Sequence, residues 1–66
     1  MNKNFRIYYK EGMRDKVLTY LKNYSNDILI NTVDDESIGI TIENENETEF
    51  FNNLLDKLKT EVYSKN

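Results

Sequence analysis

Ser37-Ile38-Gly39-Ile40-Thr41-Ile42-Glu43 alternates strictly, with three isoleucines on one side and Gly39, Thr41 and Glu43 on the other. Side chains of a β-strand switch faces with period 2, so this stretch predicts a strand buried on one face only. Three β-branched residues in a row on that face need an apolar cover. The flanking segments supply it, and the fold class follows from how they do so.

Upstream, Ile28 to Val33 predicts a second strand, joined to the first stretch through Asp34-Asp35-Glu36. Opposed residues of antiparallel strands share a face, so Ile28 and Ile30 belong beside the isoleucines. That parity favours Ile30 opposite Ile40, with a loop of about five residues centred on Asp35. Before it, Met13, Val17, Tyr20, Leu21 and Tyr24 fall at helical spacing, giving a helix over 13–24 that ends at Ser25-Asn26-Asp27. Residues 4–10 alternate again: Phe5, Ile7 and Tyr9 lie on one side, Arg6, Tyr8 and Lys10 on the other.

Downstream, Phe51, Leu54, Leu55, Leu58 and Val62 form a helical stripe and predict a second helix over 47–63. Asn46 with Glu49 three residues on matches a capping box, and Glu47 and Glu49 suit the positive end of the helix dipole. Lys57, Glu61 and Lys65 stand at i,i+4 intervals as opposite-charge pairs along that helix.

The order β-α-β-β-α, with a right-handed crossover, predicts a single α+β domain over 1–66. Its sheet has the order 1-3-2, and both helices cover one face. In topology this resembles a ferredoxin-like fold lacking its last strand. The first strand (4–10) is then an open edge, and one face of the sheet lies bare.

Composition narrows the chemistry. The 66 residues include no Cys and no His, which removes thiol nucleophiles, thiolate metal sites, disulfides and the commonest general base. No Gly-rich phosphate cradle is present, and the acidic runs lack the spacing of a Ca²⁺ loop. The chain therefore reads as non-catalytic, without metal or cofactor. No run approaches the roughly 20 apolar residues of a membrane span, and the expected compartment is the cytoplasm. Ala, Pro, Gln and Trp are absent while Asn, Lys and Ile abound, a bias that fits AT-rich coding such as a phage or mobile element carries.

Charge is segregated. Residues 1–25 carry six basic and two acidic side chains, whereas 26–50 carry eight acidic ones and no Lys or Arg. Residues 51–66 carry three basic and two acidic groups, and the whole chain has a net charge of −3. Segregation of this kind bears on association and not on fold.

Two surfaces follow as candidates. The first is the open sheet face, where Arg6, Tyr8, Lys10, Leu29 and Val33 would meet a protein partner, or a second copy in a homodimer through this face or the first strand's edge. The second is the acidic segment: Asp34, Asp35, Glu36, Glu43, Glu45 and Glu47 would imitate nucleic acid toward a basic protein. Arg6, Tyr8 and Lys10 also allow a third role, stacking and holding single-stranded nucleic acid. The favoured reading is a small non-catalytic protein-interaction module, a regulator or inhibitor that acts by binding another macromolecule.

Overall fold

The computed structural model describes residues 2–63. Five elements follow in the order β1 (Asn2–Tyr8), α1 (Arg14–Tyr24), β2 (Ile28–Val33), β3 (Ser37–Glu43) and α2 (Glu47–Lys57). The sheet has the order β1-β3-β2 with both pairings antiparallel, which is the expected α+β arrangement. Residues Ser37–Glu43 form the central strand, with Ile38, Ile40 and Ile42 fully buried.

The isoleucines pack in one cluster with Ile7 of β1, Val17 and Leu21 of α1, and Phe51 and Leu54 of α2. A single cluster shared by both helices and one side of the sheet leaves the other side bare. Aromatic rings close the margins: Phe5 stacks on Phe51 at 4.2 Å, and Tyr24 meets Phe50 edge-on at 5.6 Å. Such pairs stabilise beyond the area they bury, which matters in a domain this small.

The expected start of α2 is present. Asn46 accepts the Glu49 backbone N–H at 3.2 Å, and its amide donates to the Glu49 carboxylate at 2.9 Å. Asp34, Asp35 and Glu36 form the expected connection between β2 and β3, and Ile30 stands opposite Ile40.

Four local features differ from the sequence reading. First, β1 spans Asn2–Tyr8 in place of 4–10. β3 extends to Glu43 and offers pairing partners to Asn2 and Lys3, while Gly12 (φ 80°) turns the chain just after Lys10. Second, α1 begins at Arg14, because Met13 is its N-cap residue.

Third, α2 stops at Lys57 and does not run to 63. The Leu58 N–H is shared between the carbonyls of Leu54 and Leu55, and the chain then turns. Val62 N–H still bonds the Leu58 carbonyl at 3.1 Å, so the i,i+4 spacing survives although the helix does not. Glu61 consequently pairs with Lys16 at 3.6 Å and not with Lys57; the pairing of Glu61 with Lys65 falls outside the described residues.

Fourth, an extra residue enters β2 at Asn31. The pairing shifts from Ile30↔Ile40 to Thr32↔Gly39 and Val33↔Ile38. A bulge of this kind places two successive residues of one strand against one of its neighbour. It shortens the β2–β3 connection, where Asp34 N–H donates to the Ser37 carbonyl at 2.8 Å.

The C-terminal turn returns the chain to the sheet. Val62 bridges Tyr9 antiparallel, Lys10 N–H donates to Glu61 at 2.9 Å, and Tyr63 N–H donates to Tyr8 at 2.8 Å. This short segment lies beside β1, where a ferredoxin-like fold would place its fourth strand. Among the described residues, no helix is long and apolar enough to cross a membrane.

Candidate interaction surface at the hairpin end of the sheet

The bare face of the sheet is polar and largely self-satisfied. Asn31 donates to the Thr41 hydroxyl at 2.7 Å, and Thr41 donates to the Asn4 side-chain oxygen at 2.7 Å, a row that crosses all three strands. Arg6 lies over Gly39, donating to Ser37 Oγ at 2.9 Å and to the Asp34 carboxylate at 3.1 Å. These bonds commit Arg6 within the chain. They also satisfy Ser37, the one buried polar residue of the described core.

The five residues expected on this face do not stay together. Arg6, Tyr8 and Leu29 are on it, and Leu29 is more than half exposed (57%). Val33 is not. The bulge sets it opposite buried Ile38, and since opposed residues share a face it lies on the helix side of the sheet, exposed at the edge. Lys10 lies beyond the end of β1, with its ammonium 5.9 Å from the centre of the Tyr63 ring. Leu29, in the row of Thr41 and Asn4, and Tyr8, in the row of Ser37, are separated on the bare face by the row of Arg6 and Gly39.

The acidic segment is divided as well. Asp34, Asp35 and Glu36 sit in the connection at one end of the sheet. Glu43 pairs with Asn2 at the other end, near Glu45 and the start of α2 at Glu47. The seven residues of β3 separate the two groups by roughly 20 Å at 3.3 Å per residue. The acidic residues thus form two separate groups with the polar sheet face between them.

What the fold does bring together is a cleft of about 690 Å³ at the hairpin end of β1. Tyr8, Tyr9 and Tyr63 line it together with Glu11, Asp35 and Glu36, and Gly12 forms part of its wall. Tyr9 is the fixed element: it is buried, its hydroxyl donates to the Asp34 carbonyl, and its N–H donates to the Glu36 carbonyl at 3.3 Å. Tyr63 is carried in by the Val62 bridge and remains half exposed. Among the described residues, Glu11, Asp35 and Glu36 take part in no ion pair.

Four of these residues were not legible as a site in the sequence. Alternation assigns Tyr9 to the core, helical spacing assigns Tyr63 to α2, and Glu11-Gly12 reads only as a break. Gly12, the one residue with a positive φ among those described, shares with Glu11 the turn closed by Met13 N–H on the Lys10 carbonyl, which places both beside the end of β1. Comparison with known proteins finds no matching family model, no similar curated protein and no similar solved structure.

Proposed function

We propose that this chain is a non-catalytic protein-interaction module, a small cytoplasmic regulator or inhibitor that accepts a cationic side chain of its partner in the tyrosine cleft. The observation that carries this reading is the meeting of Tyr8, Tyr9 and Tyr63 with the carboxylates of Glu11, Asp35 and Glu36 around one opening. Aromatic faces attract a Lys or Arg head group, and nearby carboxylates supply the opposite charge. The cation over Tyr63 in the isolated chain is its own Lys10, which a partner's Arg would displace or join. Absence of His and Cys supports binding over catalysis.

The test is a titration of the ¹⁵N-labelled protein with a capped Gly-Arg-Gly peptide, followed by amide shifts. Saturating shifts at Glu11, Gly12, Asp35, Glu36 and Tyr63 are expected, weakening in Tyr63→Ala and in Asp35→Asn/Glu36→Gln. Equal shifts at the Glu43–Glu47 end would reduce the effect to general ionic attraction. Binding indifferent to Tyr63→Ala would remove the aromatic part and with it the proposal.

A further inference from the structure

Among the described residues, the outer edge of β1 is free over a window bounded by the segment 61–63. Tyr9 N–H bonds Glu36, so odd-numbered residues of β1 turn their backbone groups toward β3 and even-numbered ones turn them outward. At Tyr8 and Lys10 the outward groups are met by Tyr63 and Glu61. At Asn4 and Arg6, among the described residues, nothing meets them. Such an edge is a template for another strand.

The geometry points to a second copy of this chain as the occupant, paired antiparallel through β1 about a two-fold axis at Asn4. In that register Asn4 faces the partner's Asn4, while Asn2 faces the partner's Arg6 and Arg6 the partner's Asn2. These even positions turn outward in both strands, so every free group of the window finds a complement. The paired residues 2–6 of this register stop short of Tyr8, whose carbonyl accepts from Tyr63.

Charge selects the same register. Lys3 stands opposite the partner's Phe5 and Arg6 opposite Asn2, so no cation directly faces another. Lys3 is held back over its own Phe5 ring (5.5 Å) and bonds Thr48 at 3.3 Å, which turns its charge away from the edge. Asn2 is paired with Glu43 on β3. The partner's Arg6 therefore lies in the row of Glu43, two strand spacings or about 10 Å away. The register thus brings no like charges together and sets the Glu43 row of one copy beside the Arg6 row of the other, while each Arg6 keeps its own Asp34. An axis at Phe5 would instead set Asn2 against the partner's Tyr8, whose carbonyl already accepts from Tyr63.

Sizing with light scattering should show the mass rising with concentration from 7.9 kDa toward twice that. Over the same range the amide protons of Asn4 and Arg6 should become protected from exchange, while those of Phe5 and Ile7, already bonded to β3, are protected throughout. In a mixed labelled and unlabelled sample, the Lys3 and Phe5 α-protons should show an intermolecular contact. Asn4→Pro removes an outward N–H without touching the β3 ladder and should abolish the dimer while circular dichroism is retained; a dimer that survives it overturns the proposal. A monomer at all concentrations, a dimer with Asn4 and Arg6 amides unprotected, or a Phe5–Phe5 contact in place of Lys3–Phe5 would each overturn it too. Should Asn4→Pro not fold, the wild-type exchange pattern decides alone.

Discussion

Gly39 and Thr32 face each other so closely that a Cβ on Gly39 would lie 2.6 Å from the Thr32 hydroxyl oxygen. The bulge at Asn31 creates this approach by bringing Thr32 opposite Gly39 on the bare face. Gly39 has no positive φ, so its backbone suits any residue and only space forbids a side chain. Gly39→Ala should therefore destabilise by about 1–3 kcal/mol, as overpacking does. Thr32→Ala alone should stay within about 0.5 kcal/mol. The double variant should recover most of the loss, leaving only the Arg6 guanidinium, whose Nη2 a Cβ would meet at 3.3 Å, to adjust. Additive effects in denaturant melts would show that the contact is not the cause.

The Asn46 cap is the second point of leverage. It satisfies the Glu49 N–H and orients the Glu49 carboxylate at the helix start. Asn46→Ala should cost about 0.5–2 kcal/mol, and Asn46→Asp, which keeps the acceptor, should lose much less. Equal melting of the two variants would exclude the cap as the source.

Leu54 is fully buried on α2 and belongs to the core cluster beneath the isoleucines. Truncation to Ala should cost about 2–5 kcal/mol. A domain of this length holds a comparable total, so Leu54→Ala should be largely unfolded at room temperature by circular dichroism. A cooperative melt near that of the parent chain would show that the core is less tightly packed than its burial implies.

Glu61 titrates below the usual carboxylate range. The Thr60 hydroxyl bonded to it is the largest cause; burial, next in size, opposes it, and Lys16 and then Lys10 add to the lowering. A carboxylate lowered in the folded state contributes stability above its unfolded pKa of about 4.3 and loses it as pH falls through the folded value. The stability gap between the parent chain and Glu61→Gln should therefore be constant near neutrality and close in acid. Urea melts at a series of pH values measure this; a gap that widens toward low pH would contradict it.

Much of this architecture can be read from neighbouring residues alone. The alternation of Ser37–Glu43 defines its buried face, parity places Ile30 opposite Ile40, and Asn46 with Glu49 announces the start of α2. These signals are local: strand period, helix period and capping depend on residues a few positions apart. They leave open anything that two distant segments decide jointly. The spacing from Leu58 to Val62 is the same in a helix and in the turn that follows Lys57, and only the bridge to Tyr9 distinguishes them.

The sequence by itself thus determined the order of elements, the faces of β1 and β3, and the sheet order. Tertiary structure decided the rest. It inserted Asn31 as an extra residue and so moved Val33 off the bare face, and it committed Arg6 to Asp34 and Ser37. It also gathered Tyr8, Tyr63, Asp35 and Glu36, up to 55 positions apart in the chain, around one cleft. The physical reason is that periodicity specifies which way a side chain points relative to its neighbours. Where that side chain ends up depends on the register between strands and on where each helix stops, and both are fixed by long-range backbone pairing.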